Sequence, residues 1–517
     1  MVAVDDSEGS RKPVSYCNIT VTYTHPGWND TIHTDIVLPL DVKDWNGRFL
    51  GQGGGGFKAG QADGGLLPVV AQGFAAATTD AGHDKEALFA GKDVWRGFFT
   101  SPGNINLHLL QDFGFRAIED LPIIGKQVVE SFYGRKINYS YWNGCSTGGR
   151  QGFMAAQRFP EAYDGILTAA PAIKWASLLV TIHWAHLVMN NLKTSPSPCE
   201  FEAITGFAIT ACDELDGVKD GIISARHLCK YDAKDAIGVE VPCGSNGRKR
   251  KISPEAAEIA NAFWTGPVDS KGKQWWSGSP HETHLYNAAM SYFGGLGQTM
   301  CAKEEEQEDC HNIPFTISEQ WIRYFVQKDP DYDHTTMTTD GYFSIWRKSI
   351  NEYYSSMDAG DPDLTPFRDA GGKLLMWHGN ADQLIPIDGS RSYYEAVGQE
   401  TRDPNIRDWF RYFEAPGVLH CFGGKGPYPF TALESLVDWV EKGKAPEMLD
   451  AVTVPNEFTP EVEKISRPLC PYPLVASYKG GDARKKESYE CKETFSEKTK
   501  ATIVGAKATL SAGKDEL

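Results

Sequence analysis

Apolar and polar positions follow two rhythms along the first 170 or so residues. Short apolar runs in TDIVLPL, GRFLGQGGGGF and GFAAATTD, bounded by glycine and polar residues, predict β-strands, the second running into a glycine loop. DLPIIGKQVVESFYG places its apolar residues at helical spacing and ends in glycine, which predicts an α-helix. INYSYWNG, rich in β-branched and aromatic residues, predicts a further strand. GRQGFMAAQRFP then predicts a helix halted before proline, and YDGILTAAPA the next strand. This β–α alternation predicts a parallel sheet covered by helices.

The same rhythm returns late. GGKLLMWHGNADQLIP (371–386) predicts a buried strand entering a polar loop. IDGSRSYYEAVG predicts a helix, RDWFRYFEAPG a strand, and FTALESLVDWVEKGKAP an amphipathic closing helix. Between about 172 and 365 the character changes to cysteine, tryptophan and charge, with the acidic run AKEEEQEDC at 302–310. The expected organisation is an α/β core from 1–171 and 366–500, an inserted lid domain over 172–365, and a tail at 501–517. No internal repeat is visible, and the Lys/Thr/Ser-rich stretch after Cys491 is expected to fray.

Composition narrows the function classes. The chain has 517 residues, 41% hydrophobic and 23% charged, as a globular protein does. A formal charge of −17 repels phosphate backbones, which argues against a nucleic-acid partner. No apolar run reaches the length of about 18 residues expected of a membrane-spanning helix. Eleven cysteines without a CxxC pair, and sequons at Asn18, Asn29 and Asn138 that could carry N-glycans, point to the secretory route. The polar start MVAVDDSEGSRKPVS lacks an apolar leader core. Either a leader precedes this numbering or the secretory reading fails. The final Lys514-Asp515-Glu516-Leu517 has the form of an endoplasmic-reticulum retrieval address; a plain polar tail or an appended tag is the alternative.

The chemistry centres on YWNGCSTGGRQG, residues 141–152. A strand, then Gly144-Cys145-Ser146-Thr147-Gly148, then a helix, is the context in which a G-x-S-x-G turn presents a nucleophile. Ser146 is the candidate nucleophile, and the Thr147 N–H at the helix start is a candidate oxyanion donor. A serine of ordinary pKa needs a histidine base and an orienting carboxylate, here in the chain order Ser, acid, His. Asp382, after the strand KLLMWHG, is the candidate acid, with Asp388 as its nearest rival. The alternative is that Asp382 only caps the next helix. Among 13 histidines, His420 stands out because it follows the next strand in a glycine-bracketed loop.

Cys145 precedes the serine and Cys421 follows the histidine. If Ser146 and His420 meet, their flanking cysteines come within reach of a disulfide. A bridge closing so long a loop would contribute roughly 5 kcal/mol in the loop-entropy treatment. Two independent buried thiols are the plainer alternative.

GCSTGG, the late Asp382 and HC resemble the tannase and feruloyl esterase family, marked by a Cys-Ser, Asp, His-Cys arrangement. The resemblance runs from about Cys17 to Cys491 and includes DWNGRFLGQGGGGF and RPLCPYPLVASYKG. It implies an α/β-hydrolase core (a mostly parallel sheet with helices on both faces) with a large lid, acting on esters of aromatic acids. It also implies a second oxyanion N–H in FLGQGGGGF, from Gly55, with Gly54 and Gly56 as near rivals.

A second motif, CDELDGVKDGII (212–223), sets Asp213, Asp216 and Asp220 around a glycine turn, an oxygen-rich set that suits Ca²⁺. A solvated acidic turn is the alternative. The family resemblance implies that the Val218 and Ile222 carbonyls complete the sphere, in a structural rather than chemical role. Cys212 and Cys229 could close this loop. The remaining pairs considered are Cys470 with Cys491, Cys301 with Cys310, and Cys199 with Cys243. Cys17 is left odd, with its partner expected in a segment preceding this numbering.

The expected activity is thus a serine ester hydrolase forming an acyl-enzyme on feruloyl- or galloyl-type esters. The lid would supply an aromatic pocket, for which Trp175, Trp184, Trp264, Trp275 and Trp276 are available. An esterase of the endoplasmic reticulum acting on a specialised-metabolite ester, a serine peptidase and a non-catalytic lumenal protein on the same scaffold are the other readings.

Overall fold

The computed structural model describes residues 2–5, 11–61, 65–83, 98–101, 103–244, 248–286, 294–303, 308–455 and 461–495. The predicted tail with Lys514–Leu517 and the centre of the acidic run at 304–307 lie outside the described residues.

Eight strands form one sheet: β1 (Tyr16–Tyr23), β2 (Ile32–Pro39), β3 (Arg48–Gln52), β4 (Ala75–Thr79), β5 (Tyr139–Cys145), β6 (Gly165–Ala169), β7 (Lys373–Gly379) and β8 (Phe410–Ala415). Their spatial order is β8-β7-β6-β5-β3-β4-β2-β1. Neighbours from β8 across to β4 run parallel, whereas β2 pairs antiparallel with β4 and with β1. The central strands β4 and β6 are buried along their whole length, which is why they read as unbroken apolar or small-residue runs. β1 escaped the sequence reading. It is an edge strand whose residues are half-buried or exposed, so YCNITVTY carries no strong apolar signal.

Helices cover both faces. Ile118, Leu121 and Val129 of α1 (Ala117–Tyr133), Phe153 and Met154 of α2 (Thr147–Arg158), and Tyr393 and Val397 of α4 (Asp388–Glu400) join one buried cluster with Phe49 and Trp142 of the sheet. Leu436 and Trp439 of α5 (Ala432–Lys442) pack on the opposite face with Leu50, Leu375 and Phe413.

Residues 172–365 contribute no strand to this sheet among those described. Their helices, beginning with α3 (Trp175–Thr181) and including Pro198–Cys212, Pro254–Thr265 and Thr339–Met357, share an aromatic-rich core built around Trp175, Trp321, Phe325 and Trp346. The structure forms five disulfides: Cys145–Cys421, Cys199–Cys243, Cys212–Cys229, Cys301–Cys310 and Cys470–Cys491. Cys17 is half-buried and unbridged.

Candidate active site

The turn between β5 and α2 is built by steric exclusion. A Cβ on Gly144 would lie 2.4 Å from the Gly148 carbonyl group, so strand and helix can meet only through glycine here. Ser146 sits at the apex with φ +63°, a left-handed conformation that costs a non-glycine residue energy. Its peptide is tied down on both sides: its N–H donates to the Ala169 carbonyl at 3.0 Å, and its carbonyl accepts from the Ala172 N–H at 3.1 Å. The Thr147 hydroxyl donates to the Gly56 carbonyl at 2.7 Å, which fixes the glycine loop after β3 over the start of α2.

Asp382 and His420 follow β7 and β8, and the structure brings them together: His420 Nδ1 lies 2.7 Å from Asp382 Oδ2. The other carboxylate oxygen accepts the peptide N–H groups of Leu384 and Ile385, both at 2.8 Å. Burial alone would raise the pKa of this fully buried carboxylate. His420 and His378 more than offset that, and it is held well below the ordinary range. His378 was missed by the sequence reading. Its Nε2 lies 2.9 Å from Asp382 Oδ2 and its Nδ1 2.8 Å from the Ser390 hydroxyl. It stands at the end of an apolar strand, and its place four positions before Asp382 is the only hint the sequence offers. Gln383, also missed, accepts the His420 N–H at 2.9 Å.

The Cys145–Cys421 bridge spans 276 residues with its Cα atoms 5.9 Å apart. It ties the residue before Ser146 to the residue after His420. Cys421 shares the positive φ of Ser146, at +66°.

Ser146, Thr147, Gly56 and His420 open onto one cavity. Its remaining wall is apolar, from Trp175, Leu178, Leu179, Ile182, Phe315 and Ile385 among others, mostly contributed by residues 172–365. Of the five tryptophans considered, Trp175 lines this cavity. Trp184 donates to the Ala262 carbonyl, Trp264 packs on His281, Trp275 packs on Phe343, and Trp276 borders a neighbouring hollow.

Among the three loop glycines, Gly54 is engaged, since its N–H donates to Gln151 Oε1 at 3.1 Å. Gly56 lines the cavity and Gly55 does not. Asp388, the rival acid, pairs instead with Arg226.

The loop at 213–222 is closed by Cys212–Cys229. Asp213 accepts the N–H groups of Asp220 and Gly221, Asp216 that of Val218, and Asp220 that of Ile222. Asp213 and Asp216 are buried, and burial pushes Asp216 up to about 6. Arg467 pairs with Asp220. The three carboxylates are not gathered within 4.8 Å of one another, as the atoms of His25, Asp30 and Asp112 are elsewhere.

The tannase and feruloyl esterase family matches residues 17–492 of the chain. The chain belongs to that family. A probable feruloyl esterase of Arthroderma benhamiae is 38% identical over 485 residues, covering 93% of this chain and 86% of that protein. A tannase of Aspergillus oryzae is 31% identical over 533 residues, with the same coverage of 93% and 86%. The solved structure of a tannin acyl hydrolase from Aspergillus niger superposes with a TM-score of 0.82 at 28% identity, covering 93% of this chain and 87% of that one. The fold is therefore the α/β-hydrolase fold, and the protein is a carboxylic ester hydrolase of the tannase and feruloyl esterase family.

Proposed function

We propose that the protein cleaves esters of aromatic acids through an acyl-enzyme on Ser146, and that its pocket favours feruloyl-type over galloyl-type acids. The observation that carries this reading is the apolar cavity onto which both Ser146 and His420 open. Asp382 fixes the His420 ring through Nδ1, which leaves Nε2 to take the Ser146 proton. Ser146 attacks the ester carbonyl, and the N–H of Thr147 with that of Gly56 or Gly55 stabilises the oxyanion. His420 then protonates the departing alcohol, and water cleaves the acyl-enzyme.

The acyl preference follows from the wall. A galloyl ring brings three hydroxyls that lose water on entry, and the side chains of Leu178, Leu179, Ile182, Phe315 and Ile385 offer them no hydrogen bond. A methoxylated cinnamoyl group loses less. Residues 172–365 act as the lid that completes this wall. The test compares methyl ferulate, methyl gallate and a short p-nitrophenyl ester with wild type and Ser146→Ala. Turnover lost in the variant, with higher kcat/KM for ferulate than for gallate, is expected. Equal turnover by the variant overturns the mechanism, and a preference for gallate overturns the acyl assignment.

Three further readings belong with this one. Asp213, Asp216 and Asp220, with the carbonyls of Val218 and Ile222, hold a structural Ca²⁺. Two buried carboxylates in addition to the Asp220–Arg467 pair leave negative charge that a divalent cation would neutralise. Five disulfides suit an oxidising compartment and secretion. Asn18, Asn29 and Asn138, all exposed, accept N-glycans there.

A further inference from the structure

At the edge of the sheet, and not lining the ester cavity, a second set of ionisable groups converges. His25 follows β1, Asp30 precedes β2, and Asp112 opens a π-helical turn, Asp112–Arg116, that leads into α1. One atom from each lies within 4.8 Å of the others. His25 Nδ1 is 2.6 Å from Asp30 Oδ2 and 3.7 Å from Asp112 Oδ1. The side chains of Asp30 and Asp112 are fully buried, and both oxygens of the Asp112 carboxylate lack a hydrogen-bond partner. An ionised carboxylate left so is costly.

The surroundings hold each group in a ligand-like pose. The remaining Asp30 oxygen accepts the Thr24 hydroxyl at 2.6 Å and the His25 N–H at 2.8 Å, so Oδ2 alone points inward. On the far side of the imidazole, Nε2 lies 3.1 Å from Asp120 Oδ2, which in turn accepts the Tyr23 hydroxyl at 3.1 Å. A carboxylate on one ring nitrogen that frees the other as a lone-pair donor is the arrangement that orients metal-binding histidines. Arg116 Nε lies within hydrogen-bond distance of the same Nε2, at 3.4 Å, while its guanidinium also meets Glu119 at 2.9 Å, so metal binding at Nδ1 requires Nε2 to donate to Asp120 rather than accept from Arg116.

We propose that His25 Nδ1, Asp30 and Asp112 bind a divalent transition-metal ion, of the Zn²⁺ or Mn²⁺ class, with Asp120 as the outer partner of His25. One nitrogen and two carboxylates select these ions over Ca²⁺, which prefers an all-oxygen set. Two carboxylates balance the 2+ charge of the ion. The ion has a structural task. Arg150 of α2 donates to the carbonyls of Phe113 and Gly114 at 3.1 and 2.9 Å, in the same turn that carries Asp112. Metal therefore steadies the turn on which the nucleophile helix rests.

The test starts from chelator-treated protein returned to saturating Ca²⁺, so that the 213–222 loop is not the variable. Zn²⁺ or Mn²⁺ is titrated, and bound metal per chain and thermal midpoint are read. Wild type and Asp216→Asn should each take up one metal ion and gain thermal stability. Asp112→Asn and His25→Gln should lose that ion, and Asp120→Asn should bind about 10–100-fold more weakly. Either of the first two variants suffices if the other fails to fold. Uptake unchanged in Asp112→Asn, or no uptake by wild type, overturns the proposal and leaves an ion network without a metal.

Discussion

His378 holds the acid alongside the base: its Nε2 lies 2.9 Å from the same Asp382 Oδ2 that meets His420 at 2.7 Å. One carboxylate oxygen thus serves two imidazoles, and only one of them faces the cavity. His378 is a positioning residue. His378→Phe should lower kcat by about 10–100-fold, the cost of losing a hydrogen bond to a charged group, with KM little changed. Steady-state kinetics on a turned-over ester checks this. A rise in KM with constant kcat would show that His378 serves the pocket instead.

The Cys145–Cys421 bridge carries both a stability and a catalytic expectation. The double variant Cys145→Ser/Cys421→Ser should lose up to roughly 5 kcal/mol in the loop-entropy treatment. It should also lose kcat, because nothing else covalently holds the His420 loop against the Ser146 turn. Denaturant unfolding and kinetics on the same preparation separate the two effects. Retained kcat in a destabilised variant would restrict the bridge to stability.

Chelation should lower the thermal midpoint while leaving the Ser146 site intact in the protein that remains folded. Asp216→Asn should start from a lower midpoint in Ca²⁺ and lose its response to the ion. Scanning calorimetry with and without added Ca²⁺ decides. An equal response in wild type and variant would remove the ion from the 213–222 loop.

Asp358 gives the stability a pH slope. It is buried, accepts the Ala176 N–H at the start of α3 at 2.7 Å, and burial pushes it up to about 7 despite Arg150 nearby. Between its unfolded value near 4 and about 7, the folded chain holds a proton that the unfolded chain has released. The contribution is complete below about pH 4 and is lost as pH rises through 7, on the order of a few kcal/mol. Asp358→Asn keeps the acceptor and should flatten this slope. Urea midpoints across the range would show it, and an unchanged slope would assign it to another group.

The parallel part of the sheet was legible because buried strands and amphipathic helices write distinct periods, as in KLLMWHG and FTALESLVDWVEKGKAP. Edge strand β1 was not, since its residues face water as often as protein. The nucleophile turn was legible because Gly144 has no room for a Cβ. His378 and the His25–Asp30–Asp112 set were not. Their members are ordinary polar residues scattered through the chain, and only the folded backbone gives them a common neighbour.

The long bridge also changes what proteolysis can do. Any single cut within the segment between residues 145 and 421 leaves the two fragments joined through Cys145–Cys421. A lid clipped by a protease would therefore run as one species on a non-reducing gel and as two after reduction. The nucleophile and its base would remain leashed together in a two-chain protein.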